Sequence, residues 1–201
     1  RAAGSEGELL KFDVADATAA REALEAWSGA HPEAFVEVVV NNAGIRSDNL
    51  MVWMPADDWN RVIATSLGGF YHVTQPLLQP MLTRRRGRIV NIASVRSFRP
   101  AEMHMIAYGV SKLGMHALTR AFAHNGAPFN ITANTVCPGM VITENIDKRL
   151  TPEKYAEESA AIPLGRGATG EEIADAVLFP IRNGYVTGET ININGGMYYA
   201  P

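Results

Sequence analysis

The feature that most constrains the fold is a regular alternation of short β-type runs with longer helical stretches. The β-type runs are rich in Val, Ile and Thr, and the helical stretches carry Ala, Leu, Met and Glu at helical spacing. Parallel strands need crossover connections of this kind, usually helices. The pattern therefore predicts an α/β fold, a three-layer, doubly wound parallel sheet with helices on both faces.

The predicted elements can be placed along the chain. The strands are expected at residues 9–13, 35–40, 88–93, 130–137 and 189–194. The helices are expected at residues 17–27, 57–81, 108–124 and 171–179. Pro76 and Pro80 are expected to kink or break the second helix, because proline lacks the amide donor. No linker or repeat divides the sequence, so we predict one domain over residues 1–201.

Composition argues against several classes of protein. The chain has 18 Lys and Arg against 21 Asp and Glu, so no global positive field would attract nucleic acid. Its single cysteine, Cys137, excludes an internal disulfide framework, and the five histidines lack metal-ligand spacing. No apolar run approaches the ~20 residues that span a bilayer. We expect a cytoplasmic protein without nucleic-acid, membrane or metal partners.

Three polar residues are candidates for chemistry. In open α/β sheets, ligands bind beyond the carboxyl ends of the strands, and Ser94 directly follows the predicted strand 88–93. Tyr108 and Lys112 stand four residues apart on one helix face. An ammonium there would lower the pKa of the phenol from about 10 and let it exchange a proton with a carbonyl oxygen. The alternatives are an exposed helix face and a turn-forming serine, with Ser97 a rival for the role of Ser94.

Two turns follow other strands at the same edge. Residues 41–44 read Asn-Asn-Ala-Gly, and such small residues let a flat ligand approach the backbone. After Pro138 and Gly139, a tight turn would direct main-chain groups and the Thr143 hydroxyl into the same crevice. An ordinary strand-to-helix turn is the alternative at each place.

Taken together, these segments resemble the short-chain dehydrogenase/reductase family, over the whole chain. The matching motifs, in the family's order and approximate spacing, are Asn41-Asn42-Ala43-Gly44, Ser94, Tyr108-Gly-Val-Ser-Lys112, Pro138-Gly139 with Thr143, and Gly184-Tyr-Val-Thr-Gly-Glu-Thr-Ile-Asn-Ile-Asn-Gly-Gly196. Within the family, Ile45-Arg-Ser-Asp48-Asn49-Leu50 and the C-terminal segment are most similar to bacterial 3-oxoacyl-[acyl-carrier-protein] reductases. The resemblance implies a Rossmann-like fold and a homotetramer active in fatty acid biosynthesis. The implied reaction is NADPH-dependent reduction of a 3-oxoacyl thioester, with NAD as the alternative cofactor.

The resemblance also implies a role for each site residue. Tyr108 would be the general acid, Lys112 would lower its pKa and hold the nicotinamide ribose, and Ser94 would orient the substrate carbonyl. Ser66 occupies the position of the family's fourth catalytic residue, an Asn, so an altered proton relay is expected. Besides Tyr108 and Lys112, the cofactor-binding positions would be Asp13, Val14, Asn42, Ala43, Gly44, Val141 and Thr143.

One family feature has no counterpart in the sequence. The family's opening strand and its glycine-rich phosphate loop would occupy roughly forty-five residues before Arg1. We therefore expect the sequence to be N-terminally incomplete, with the first βαβ portion missing. The strand at 9–13 would then lose its neighbour in the sheet.

Alternatives remain for partners and function. The basic run at residues 84–88 is either a solvated helix end or a docking site for an acidic carrier protein. Arg85 matches a docking position of the carrier-protein reductases, whereas Phe129 stands where a second Arg is common. The functional alternatives are an alcohol, sugar or steroid dehydrogenase of the same family, and a catalytically silent member that acts as an assembly subunit.

Overall fold

The central element is a parallel sheet whose four strands follow one another in chain order. A computed structural model describes residues 7–98, 103–143 and 150–199. The strands are β1 (Val38–Asn41), β2 (Gly87–Ile92), β3 (Ile131–Pro138) and β4 (Thr190–Ile193). Every neighbouring pair is parallel, so the carboxyl ends of all four strands lie along one edge.

Helices cover both faces of this sheet. They are α1 (Ala17–Ala30), α2 (Ala56–Ile63), α3 (Gly69–Arg84), α4 (Ile106–Gly126), α5 (Pro152–Ala160) and α6 (Gly170–Arg182). Successive strand residues point to opposite faces, so Ile89 packs with α3 and α4 while Val90 packs against α6. The three layers confirm the predicted α/β class and its doubly wound, Rossmann-like arrangement.

Residues 9–13 do not form the predicted strand. They pair with no strand among the described residues, and the Leu9 side chain is 89% exposed. A β-strand is stable only where a neighbouring strand forms hydrogen bonds with its backbone. The hydrophobic pattern of a segment does not show whether such a neighbour exists. The prediction of a strand here was therefore wrong.

The long helical stretch is continuous at its two prolines, where a kink or a break was expected. α3 runs through both Pro76 and Pro80, and a π-helical turn, Ala64–Gly68, joins it to α2. Leu77 and Met81 of α3 are buried in the core, and this packing outweighs the amide donors lost at the prolines. The predicted helix at 57–81 is otherwise confirmed, whereas α5 had not been predicted.

A buried polar network crosses the face of the sheet under α3 and α4. Asn41, Asn91 and Thr135 are neighbours on β1, β2 and β3. The Asn41 amide donates to Asn91 (2.9 Å) and to Thr74 of α3 (3.1 Å), and the Asn91 amide donates to Thr119 of α4 (2.8 Å). Thr135 donates to the same Thr119 hydroxyl at 2.7 Å. Because each buried group has a partner, the network joins three strands and two helices without an unsatisfied amide.

No helix within the described ranges combines the length and apolarity needed to cross a bilayer.

Replacing Asn91 with Ala is expected to destabilise the fold by about 2–4 kcal/mol, because it removes the Asn91 acceptor of the Asn41 amide and one of the two donors to the Thr119 hydroxyl, both in a buried network. Chemical denaturation of the variant and the wild type measures this difference. Asn125→Ala is the matched control, since Asn125 is exposed and its side chain donates to the Ala121 carbonyl one turn earlier. Equal losses for the two variants would contradict a cooperative network at Asn91.

Candidate active site

Ser94 lies just beyond the carboxyl end of β2. The Ala93 amide still donates to the Val136 carbonyl at 2.8 Å, so the ladder with β3 holds the chain up to this point. The Ser94 hydroxyl then accepts from the Arg96 amide at 3.2 Å and caps a short 3₁₀ turn, Val95–Ser97. Ser94 is thereby fixed by the end of a paired strand, and it, rather than Ser97, lines the cavity described next.

Ser94 and Tyr108 face each other in one cavity. Tyr108 stands in the first turn of α4, and its side chain lines the same cavity as that of Ser94. The cavity has a volume of about 560 Å³. The other residues that line it are Arg46, Asp48, Val95, Arg96, Gly139, Met140, Val141, Thr143 and Met197. A carbonyl-sized group in this space could meet both hydroxyls.

The pKa of Tyr108 is raised above its ordinary value of 10.0. Burial is the main cause, because it penalises the charged phenolate; the hydrogen bond with Ser94 and the charges of Arg46 and Arg96 oppose it. The expected lowering of this pKa by Lys112 is not found. The phenol is therefore protonated at neutral pH, and the cations that favour its ionisation come from loops rather than from its own helix.

Lys112 follows one turn later in α4 and is almost completely buried. Its ammonium donates to the Ile92 carbonyl at 2.8 Å and lies 5.7 Å from the centre of the Tyr108 ring. Burial lowers the pKa of Lys112 to about 8. The ammonium therefore points to the end of β2 and not to the phenol hydroxyl, and this explains why Lys112 does not lower the pKa of Tyr108 as expected.

Gly44 and Ser66 lie beside the Lys112 ammonium. A Cβ atom at Gly44 would stand 3.0 Å from the Lys112 Nζ and 3.5 Å from the Ser66 Oγ, so a larger residue would crowd this junction. Ser66 belongs to the π-helical turn, a form often found at functional sites. Its hydroxyl is buried and has no hydrogen-bond partner among the described residues. Three residues singled out from the sequence therefore meet at one point.

The loops at the carboxyl edge hold four of the remaining predicted residues. Asn42 and Ala43 precede Gly44, and both are exposed. The Asn42 amide donates to the Val40 carbonyl and forms a tight turn at the end of β1. Val141 and Thr143 line the cavity beside Tyr108. Val141 is fixed by a bridge to Ala168, with its neighbour Ile142 donating to the same residue at 2.8 Å.

Asp13 and Val14 lie outside that cavity. The Asp13 carboxylate accepts from the Ala15 amide, and the Val14 carbonyl meets His72 of α3 at 2.9 Å. The Val14 side chain packs so closely on Gly69 that a Cβ there would be 2.9 Å away. The pair is therefore anchored to α3, and no described contact joins it to Ser94 or Tyr108.

Sequence reasoning missed the charged residues of the cavity. Arg46 and Asp48 follow the Asn-Asn-Ala-Gly turn and were noted only as part of a resemblance. The Arg46 guanidinium lies 5.9 Å from the Tyr108 ring centre and forms an ion pair with Asp48 at 2.6 Å. Their position directly after residues 41–44, at the edge where ligands bind, was the available signal.

The basic run lies at the opposite edge of the sheet. Gly87 begins β2, whereas Ser94 follows its end. Arg86 pairs with Glu37 at 2.6 Å, and Arg85 donates to the Pro128 carbonyl and stacks on Phe129. These arginines are engaged with their own chain.

Replacing Lys112 with Met is expected to stabilise the fold by about 1–3 kcal/mol at neutral pH, because it removes a buried ammonium at the cost of one carbonyl partner. Between pH 8 and 10.5, Lys112 is still protonated in the unfolded state but has lost its proton in the folded state. The free energy of unfolding of the wild type therefore rises with pH in this range. Denaturation across that range should show the gain in the wild type and not in the variant. A destabilised variant at neutral pH would contradict the cost assigned to Lys112.

Comparison with known proteins gives consistent matches. A family model described as enoyl-(acyl carrier protein) reductase matches residues 1–198. An acetoacetyl-CoA reductase of Rhizobium meliloti is 41% identical over 169 residues, which cover 82% of this chain and 69% of that protein.

Two solved structures share the fold. A putative gluconate dehydrogenase of Agrobacterium tumefaciens matches with a TM-score of 0.89 and 32% identity, covering 98% of this chain and 78% of that one. A 3-oxoacyl-[acyl-carrier protein] reductase of Brucella melitensis with bound NAD has a TM-score of 0.83 and 29% identity. That match covers 95% of this chain and 71% of the other.

Proposed function

Because this chain belongs to the short-chain dehydrogenase/reductase family, whose members are NAD(P)-dependent oxidoreductases, we propose that it reduces a 3-oxoacyl thioester to the 3-hydroxyacyl product. The observation that carries the proposal is that Ser94 and Tyr108 line one cavity, with the Lys112 ammonium 5.7 Å from the centre of the Tyr108 ring. The similarity to an acetoacetyl-CoA reductase and to a 3-oxoacyl-[acyl-carrier protein] reductase supports the substrate class.

The carboxyl edge has features that fit a nicotinamide cofactor. Gly44 leaves no side chain between the loop and Lys112, and the adjoining Asn42 and Ala43 are small and exposed. We propose that these three residues, with Val141 and Thr143, would hold the cofactor, while Lys112 would hold its ribose and Asp13 and Val14 its adenine. When bound, the cofactor supplies the hydride; NADPH is the proposed reductant, with NADH as the alternative.

The proposed chemistry of the chain's own residues is a proton transfer. Ser94 would donate a hydrogen bond to the substrate carbonyl oxygen, and Tyr108 would give that oxygen its proton. Burial raises the pKa of Tyr108, which keeps the phenol protonated and suits an acid in the direction of reduction. The unpartnered Ser66 hydroxyl beside the Lys112 ammonium would take part in returning a proton to Tyr108.

The proposal extends to assembly and partners. The substrate would be carried by coenzyme A or by an acyl carrier protein in cytoplasmic fatty acid biosynthesis. An apolar groove on α3 and α4 is consistent with a homotetramer that uses these helices. It is lined by Leu67, Phe70, Tyr71, Leu78, Leu118 and Phe122, among others.

One observation favours a second candidate substrate. Arg46, Asp48 and Arg96 make the cavity more polar than an acyl chain requires, and a sugar acid would match such groups. The similarity to a putative gluconate dehydrogenase points the same way. A catalytically silent subunit is disfavoured, since Ser94, Tyr108 and Lys112 are all present.

Replacing Tyr108 with Phe is expected to reduce turnover of an acetoacetyl thioester by about 10²–10⁴-fold, because the proton donor is lost while the ring remains. The measurement follows NADPH or NADH absorbance. Tyr185→Phe is the control, since Tyr185 is fully exposed and is not one of the residues that line the cavity.

Three outcomes of this assay are informative. Turnover that does not respond to Tyr108→Phe would overturn the mechanism. Turnover of gluconate or simple ketones but not of the thioester would overturn the substrate class and leave the mechanism standing. Comparison of the two reductants decides the cofactor preference.

Replacing Ser66 with Ala tests the proton return. The hydroxyl has no hydrogen-bond partner in the part of the chain that the structure describes, so stability should change little. Turnover should fall roughly threefold to tenfold if the hydroxyl holds a relaying water. Unchanged turnover would remove Ser66 from the proposed set. The buried Ser159, whose hydroxyl also lacks a described partner, provides a matched Ser→Ala control on α5.

A further inference from the structure

Arg46 is held above the Tyr108 ring by a carboxylate clamp. Its Nε donates to one Asp48 oxygen at 3.2 Å and its Nη2 to the other at 2.6 Å, a two-point contact that fixes the plane of the guanidinium. The Arg46 Cζ lies 5.9 Å from the ring centre, within the range of a cation–π contact. Both residues line the cavity that contains Ser94.

Among the described residues, charged and titratable groups act on Tyr108 from four segments. Arg46 comes from the loop after β1, Arg96 from the turn after β2, Lys112 from α4 and Cys137 from β3. Burial raises the pKa of Cys137 to about 12, so the thiol is neutral, and the Lys112 ammonium is bonded to the Ile92 carbonyl. Of the two arginines that favour the ionised phenol, Arg46 has the larger effect.

We propose that Arg46, clamped by Asp48, is a positioning residue that stabilises the phenolate of Tyr108 and thereby sets the pH range in which Tyr108 exchanges its proton. This role rests on the proposed function of Tyr108 as proton donor. A phenolate appears each time Tyr108 gives up its proton, in a cavity where burial disfavours it. A guanidinium suits this task because it stays charged at every pH at which the enzyme works.

The test follows both directions of the reaction across pH. In Arg46→Gln, the pH midpoint for oxidation of a 3-hydroxyacyl thioester should move up by about one unit, from the loss of a nearby cation. Oxidation at a fixed pH on the acid limb should slow by roughly tenfold. Reduction should instead persist to higher pH, because the phenol keeps its proton longer. A purely structural role would slow both directions without moving either midpoint, and that result would overturn the proposal.

Further variants separate charge from clamping. Arg46→Lys keeps the cation without the two-point contact, so its midpoint should lie between those of the wild type and Arg46→Gln. Asp48→Asn should raise the midpoint if the carboxylate acts as the anchor; a lowered midpoint would overturn the anchoring part. Arg86→Gln, which removes an exposed ion pair of the same length at the opposite sheet edge, should leave both profiles unchanged.

A titration without substrate distinguishes failure of this inference from failure of the proposed function. The chain has six tyrosines, so the tyrosinate absorbance of Tyr108 is obtained as the wild type minus Tyr108→Phe. The same subtraction in the Arg46→Gln background should give a midpoint about one unit higher. An inactive enzyme with this shift would overturn only the proposed function, whereas an active enzyme without it would overturn only the role of Arg46.

Discussion

The hydrogen bond from the Lys112 ammonium to the Ile92 carbonyl joins α4 to the end of the central strand, and the arrangement of the site depends on it. Lys112 and Tyr108 share one helix, while Ile92 and Ser94 share one strand end. Because Lys112 is fixed against Ile92, the distance between Tyr108 and Ser94 is fixed as well. Gly44 is needed at the same junction, since a side chain there would push against the ammonium.

Burial gives the two ionisable groups opposite tendencies. It raises the pKa of the Tyr108 phenol and lowers that of the Lys112 ammonium, so in both cases the uncharged form is favoured. The fold bears this electrostatic cost at the place where the proposed reaction moves a proton. Loop residues then adjust the balance: Arg46 and Arg96 approach the phenol from outside the helix that carries it.

Most of the architecture could be predicted from local sequence, and the failures have specific physical causes. The strands at β1 to β4 and the helix that carries Tyr108 follow from periodicity, because their patterns agree with how they are buried. Residues 9–13 have a strand-like pattern but no described pairing partner, which a local reading cannot detect. The positions of the charged groups at the site were harder to predict than the fold. The spacing of Tyr108 and Lys112 correctly placed them close together, but it did not show that the Lys112 ammonium bonds to the Ile92 carbonyl. It also gave no sign that Arg46 lies over the Tyr108 ring.

The buried polar network has a consequence for how the strands are aligned. Asn41, Asn91 and Thr135 match only when β1, β2 and β3 are in their native register, because slippage by a single residue turns each side chain to the other face of the sheet. Hydrophobic strands alone would tolerate such a shift more easily. The amides and hydroxyls therefore hold the strands in one alignment, and this alignment also fixes the turn after Asn41 relative to the end of β2, which Ser94 follows.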